Sequence, residues 1–226
     1  MKGTGQPEAI KATAEALTRC VARLYSRGWC DGTSGNFSVT LSRKPLRLLI
    51  TCSESDKGLV TPDDLLVVGD EGVSADGSKL TPSSETLLHV ALAAEANAGS
   101  VLHTHSLWGT LLGERFVEHG GFPIGGYEML KGIEGVHSQD EEIFVPVVEN
   151  TQDMGALSRR VTDLIRERPE MRGFLIAGHG LYTWGRSLEE SHRHVEIFEF
   201  LFQLLGQSIG RKDIWPSSSS RIKIVY

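Results

Sequence analysis

The sequence predicts a mixed α/β fold built on a central, mostly antiparallel sheet flanked by helices. Three observations predict it. Short apolar runs bounded by Gly, Pro or polar residues recur at 46–51, 65–68 and 143–148. Between them lie segments with apolar residues at spacings of three and four. Late in the chain, Gly173-Phe-Leu-Ile-Ala-Gly178, then His-Gly, then Leu181-Tyr-Thr-Trp184 reads as a β-hairpin, which makes part of the sheet antiparallel.

Each element follows in order. Pro7 opens a helical pattern with Ile10, Ala14, Leu17, Val21 and Leu24 on one face, closed by Gly28. A Gly-rich stretch, Gly32-Thr-Ser-Gly-Asn36, leads into a strand at 37–41, and strands at 46–51 and 65–68 come next. Thr81-Pro-Ser-Ser84 starts a helix carrying Leu87, Leu88, Ala91 and Ala94, with Glu85 in its first turn, where the helix dipole favours an acid. A strand at 100–105 runs into a short helix at 107–116. The strand at 143–148 contains Pro146, which lacks an N–H and favours a sheet edge or a break. A helix at 153–168 ends at Pro169, and Ser187-Leu-Glu-Glu190 is a capping box for a long last helix through Ile197, Phe198, Leu201, Phe202 and Leu205. No repeat or linker divides the chain. The expectation is one domain over residues 1–226 with flexible tails at 1–6 and about 212–226.

The bulk properties narrow the function. The 226 residues are 40% hydrophobic and 23% charged, enough for one substantial core. A net charge of −6 argues against nucleic acid as the partner, because a phosphate backbone selects a basic face. No apolar run approaches the ~20 residues that cross a bilayer, and the N-terminus has no signal-peptide core, so a cytoplasmic protein without a membrane partner is expected. Cys20, Cys30 and Cys52 are odd in number and form no Cys-x-x-Cys pair, which points to reduced thiols.

Residues 100–106, Ser-Val-Leu-His-Thr-His-Ser, carry the first chemical signal. Residues i and i+2 of a strand share a face at ~6.5–7 Å, so His103 and His105 can converge on one ion; otherwise they are polar residues at a sheet end. His179, between Gly178 and Gly180 at the hairpin turn, is the candidate third donor. Three imidazoles with an open fourth position suit a catalytic divalent ion, and zinc, manganese or ferrous iron all fit. His89 lies on a helix and reads as structural, His192 and His194 read as surface or interhelix residues, and His119 and His137 fall in Gly-rich loops. Among the acids, Glu85 is either a dipole-favoured surface residue or a metal-proximal acid/base. Glu128 stands in Gly125-Gly-Tyr-Glu-Met-Leu-Lys-Gly132. It is either an ion-pair partner of Lys131 or a buried proton-transfer group. Gly32-Thr-Ser-Gly-Asn36, Thr51-Cys-Ser-Glu-Ser-Asp-Lys57 and Ser83-Ser84 each offer amides, hydroxyls or a cation to an anion such as phosphate.

Taken together, Gly-Thr-Ser-Gly-Asn, Pro-Ser-Ser-Glu, His-Thr-His and Gly-His-Gly resemble the class II, zinc-dependent sugar-phosphate aldolase/epimerase superfamily over roughly residues 10–210. Tyr127-Glu-Met-Leu-Lys-Gly-Ile133, Val145-Pro-Val-Val-Glu-Asn-Thr151 and His179-Gly-Leu-Tyr-Thr-Trp-Gly185 are similar to the methylthioribulose-1-phosphate dehydratase family of methionine salvage. The resemblance implies a class II aldolase-like fold and a homotetramer with active sites near subunit interfaces. It implies one Zn²⁺ per subunit on His103, His105 and His179, and Glu128 as the catalytic acid/base, with Glu85 a second catalytic candidate. It places the phosphate of a ketose substrate among Gly35, Asn36, Ser53, Lys57, Ser83 and Ser84. One departure stands out: Glu54 occupies a position where the family commonly has Gly, and an acid there must point away from a phosphate. A sugar-phosphate aldolase and a non-catalytic interaction protein of the same fold are the competing readings.

Overall fold

The computed structural model describes residues 5–209. In chain order the elements are α1 (Gly5–Ser26), β1 (Asn36–Arg43), β2 (Leu46–Thr51), β3 (Leu65–Val68), α2 (Thr86–Glu95), β4 (Ser100–Thr104), α3 (Leu107–Phe116), β5 (Gly121–Gly125), β6 (Glu142–Val148), α4 (Met154–Glu167), β7 (Gly173–Ile176), β8 (Gly180–Gly185) and α5 (Leu188–Ile209). Short 3-10 turns lie at Pro62–Asp64, Val117–His119 and Glu128–Gly132. The strands form one 8-stranded sheet in the order β3-β2-β1-β4-β8-β7-β6-β5. Only the β6–β7 pair is parallel.

The sheet is covered on both faces. Along β4, Val101 packs with Leu88, Leu92, Leu157, Val161, Phe174 and Tyr182, which belong to the side covered by α2 and α4. Its neighbour Leu102 points the other way, into a cluster with Leu17, Val21 and Leu24 of α1 and Val195 of α5. A third cluster joins Leu112, Leu175 and Leu181 to Phe198, Leu201 and Phe202 of α5. This alternation follows from the two-residue period of a strand. It puts His103 on the α2/α4 side of the sheet and Thr104 on the α5 side, where Thr104 Oγ1 donates to Glu199 at 3.1 Å.

Three details differ from the sequence reading. Helix α1 starts at Gly5, inside the expected N-terminal tail; residues 1–4 and 210–226, with the rest of both expected tails, lie outside the described residues. Strand β5 was not expected, because Pro123 and the flanking glycines disguise Gly121-Phe-Pro-Ile-Gly125 as a loop. Pro146 is not on an edge strand, since β6 lies between β5 and β7. It is tolerated because the parallel pairing with β7 begins one residue later, at Val147. The three cysteines are free, as the odd count suggests.

Candidate active site

The site is assembled where β1, β4, the β7–β8 turn and the start of α2 meet. His103 and His105 project from the end of β4 on one face, with Nε2 atoms 2.8 Å apart. His179 reaches them from the hairpin turn, its Nε2 lying 3.3 Å from that of His103. Glu85, the N-cap residue of α2, places Oε2 3.5 Å from His103 Nε2 and Oε1 3.2 Å from His179 Nε2. One donor atom from each of the four residues lies within 4.8 Å of the others.

Two glycines make this convergence possible. A Cβ on Gly35, which holds φ +76°, would stand 2.6 Å from the carbonyl oxygen of His103. A Cβ on Gly180 would fall inside van der Waals contact of the Thr104 carbonyl. The segments carrying Asn36 and His179 therefore close onto β4 from both sides only because Gly35 and Gly180 have no side chains.

The residues present fit a divalent metal ion. His103 is fully buried and its Nδ1 lies 2.9 Å from the Leu181 carbonyl oxygen, an acceptor only, so Nδ1 carries the proton and Nε2 presents a bare lone pair. Burial, then the neighbouring His105 and His179, holds its pKa well below the ordinary range. Burial lowers His105 to about 4. Both rings are thus neutral near pH 7, the state that ligates metals. Neutral imidazoles whose acceptor nitrogens face each other and a carboxylate repel one another unless a cation sits between them, and three imidazoles with an oxygen ligand are a zinc-type donor set. The ring of Tyr182 stacks on His103 at 4.0 Å and 12° and fixes its plane. The Nδ1 of His179 is buried without a partner among the described residues, so that ring is held by its turn instead, through His179 N to Ile176 O and Thr110 Oγ1 to His179 O.

The three stretches expected to cradle a phosphate are brought together beside this cluster. Ser53 N donates to Thr81 O, and Asn36 Nδ2 donates to Ser83 Oγ at 3.2 Å. Lys57 Nζ donates to Thr33 O and Ser55 O at 3.0 and 2.8 Å. Lys57 is only 1% exposed, so it clasps two loops from behind and is not an open cation for an anion to touch. Burial pushes its ammonium below the ordinary range. Asn36 is buried with its side chain hydrogen-bonded to Ser83 and Glu85, Gly35 and Ser53 are half-buried, and Ser84 is exposed. Glu54 is exposed. Its φ of +59° is the left-handed conformation that a glycine adopts freely.

Of the two readings of Glu128, the structure carries the ion pair: its side chain is 71% exposed and paired with Lys131. The turn Glu128–Gly132 precedes Ile133 and Val136, which pack with Ile197 and Phe198 of α5, in the layer opposite His103. Within one chain it is therefore not brought to the histidines. His89, read as structural, is fully buried and hydrogen-bonded, its ring lying behind Asn36 at 2.5 Å from Asn36 Oδ1. The signal was its place four residues after Glu85, on the same helix face.

The comparisons with known proteins agree with this geometry. The family model for the class II aldolase and adducin N-terminal domain matches residues 15–205. A methylthioribulose-1-phosphate dehydratase of Stenotrophomonas maltophilia is 44% identical over 190 residues, which cover 84% of this chain and 87% of that one. One of Persephonella marina is 39% identical, covering 93% of this chain and 97% of that one. Among solved structures, an L-fuculose-1-phosphate aldolase from Thermus thermophilus superposes with TM-score 0.69 at 24% identity, over 88% of this chain and 96% of that chain. A sugar-phosphate aldolase from Thermotoga maritima gives 0.65 at 16%, over 92% and 98%. At those identities the structures speak for the fold alone. The sequence matches go further: the chain belongs to the class II aldolase and adducin N-terminal domain family, in the group that holds the methylthioribulose-1-phosphate dehydratases.

Proposed function

We propose that the chain is a dehydratase converting 5-methylthioribulose 1-phosphate to 5-methylthio-2,3-dioxopentyl 1-phosphate and water, a step of methionine salvage. The observation that carries this reading is the convergence of His103, His105, His179 and Glu85 on one point, in a chain about two-fifths identical to relatives bearing that name. The reaction removes a proton from C3 and hydroxide from C4 of a 2-ketose, and the resulting enol becomes the second ketone. A zinc ion on the three histidines would supply Lewis acidity at the C2 carbonyl as the C3 proton leaves.

The chain's own groups do the rest. Glu85, with both oxygens among the histidines, is placed to take the C3 proton. Ser53, Ser83 and Ser84 offer hydroxyls and amides to the phosphate, and Lys57 holds their loops in register from behind. Glu128 is the second acid/base, returning a proton to the departing C4 oxygen. Because its own chain leaves it exposed and on the other layer, it performs this role toward the site of a neighbouring copy, which requires an oligomer. A homotetramer in the cytoplasm is the assembly and location we assign. No helix among the described residues is long and apolar enough to cross a membrane.

The test is metal analysis with a dehydratase assay on wild type and His103→Ala. Wild type is expected to hold one zinc per subunit and to form the diketone, and the variant to lose metal and at least ~100-fold of turnover. Exhaustive chelation that leaves the rate unchanged would sink the mechanism. Release of a triose phosphate from a deoxyketose 1-phosphate would convert the reading to an aldolase. Purified protein with neither metal nor phosphate affinity would favour a binding module.

A further inference from the structure

Three buried side chains behind the histidines run to Glu85 in an unbroken hydrogen-bonded chain. Ser38 Oγ lies 2.7 Å from His89 Nδ1, His89 Nε2 2.5 Å from Asn36 Oδ1, and Asn36 Nδ2 2.6 Å from Glu85 Oε2. His89 is 0% exposed and Asn36 5%. The polarity of the chain is fixed from one end. A carboxylate only accepts, so Asn36 must turn its amino group to Glu85 and its carbonyl to His89. That carbonyl also only accepts, so His89 carries its proton on Nε2 and takes one from Ser38 on Nδ1. Burial lowers the His89 pKa to about 3, which keeps the ring neutral and this arrangement single.

The geometry explains why these residues meet. Asn36 is the cross-strand partner of His103, so its side chain stands beside that ring on the α2 side of the sheet. Glu85 and His89 stand one helical turn apart and hold opposite ends of the same amide. The remaining proton of the amino group goes to Ser83 Oγ, and Asn36 has no donor left over. The Asn36 amino group meets Oε2, which faces His103, while Oε1 faces His179.

We propose that Asn36, backed by His89 and Ser38, is the positioning element of Glu85, fixing the carboxylate among the metal-binding histidines. The proposal rests on the metal-site reading above, and its test is independent of which reaction the site performs. His89 lies behind Asn36, fully buried, and also packs edge-on against Tyr182 with ring centroids 5.8 Å apart, so rescue by a side chain that keeps the hydrogen bonds without the ring separates the amide route from packing.

The experiment uses full-length protein loaded with Co²⁺ or Zn²⁺ and four variants: Asn36→Ala, His89→Leu, His89→Gln and the double Asn36→Ala/His89→Leu. The readouts are metal affinity by competition with a chelating dye, the visible Co²⁺ spectrum, and binding of inorganic phosphate. Asn36→Ala and His89→Leu are each expected to weaken metal binding ~10–100-fold and to alter the Co²⁺ spectrum in the same way. Their double variant should be no worse than the single ones, because they cut one chain. His89→Gln, whose amide can donate to Asn36 and accept from Ser38, should restore both. Phosphate affinity should change less than ~2-fold in the His89 variants. Two results overturn the proposal: wild-type metal affinity and spectrum in folded His89→Leu, or an unaltered metal site in Asn36→Ala. If His89→Leu fails to fold, Asn36→Ala alone decides, since metal weakening supports the role and an unaltered metal site refutes it. A protein that shows these metal effects yet does not dehydrate the ketose refutes only the assigned reaction.

Discussion

At the scale of single residues, the chain uses conformational freedom where side chains would block the site. Gly35 and Gly180 let two loops reach the backbone of β4, and that approach gives His179 its place opposite His103. Glu54 is the exception. It holds φ +59° with a full side chain, a conformation that costs an L-residue roughly 1–2 kcal/mol relative to glycine, part of which glycine returns as unfolded-state entropy. Glu54→Gly should therefore stabilise the protein by about 0.5–1 kcal/mol, a rise of roughly 2 °C in Tm. Thermal unfolding in the absence of phosphate measures it, and an unchanged or lower Tm would mean that contacts of the exposed carboxylate outweigh the backbone. Since the Glu54 side chain already points to solvent, phosphate affinity should move little.

At the scale of elements, the long helix α5 carries a carboxylate into the core. Glu199 is 3% exposed, its Oε1 accepts from Thr104 on the metal strand, and burial raises its pKa from 4.5 to about 7. The folded carboxyl thus holds its proton more tightly than the unfolded one. The stability this contributes is fully present below about pH 4.5 and is lost as pH rises through about 7. Glu199→Gln removes the penalty. The variant should exceed wild type by on the order of 1–3 kcal/mol at pH 8, with the difference shrinking toward pH 5. Urea unfolding of both proteins at the two pH values checks this, and a difference independent of pH would show that the carboxyl does not titrate in this window.

The same elements show what the sequence made legible. The limits of β2, β3 and α3 follow from apolar runs and punctuation, because each strand or helix buries a full face and breaks at Gly, Pro or a cap. His103, His105 and His179 were legible because strand periodicity and a Gly-flanked turn restrict where imidazoles can point. The surroundings of Glu128 and Lys57 were less so. A lone acid among apolar residues reads either as buried or as the partner of Lys131; here Leu130 and Ile133 go inward and leave Glu128 in solvent, paired to Lys131. A lysine among hydroxyls reads as an anion site, yet its ammonium turns to two carbonyls. Pattern reports which residues face the core and not which partner a polar tip selects, since that depends on loops far apart in sequence.

At the scale of the whole molecule, the exposed Glu128 carries the sharpest consequence. A carboxylate on the α5 side of the sheet cannot serve the histidines on the α2 side of its own chain, so a catalytic role for it requires a second copy. Closed symmetry makes each such interface supply every site with one neighbouring residue. His103→Ala and Glu128→Gln should each be inactive alone. When the two are unfolded together and reassembled one to one, a site with intact histidines meets an intact neighbouring Glu128 in about a quarter of random pairings, and activity should return to about that fraction of wild type. Size-exclusion chromatography with light scattering on the mixture establishes that mixed oligomers formed. Mixed oligomers without recovered activity would place Glu128 outside the reaction or confine it to its own chain. A Glu128→Gln protein with full turnover would leave Glu85 as the only carboxylate of the mechanism.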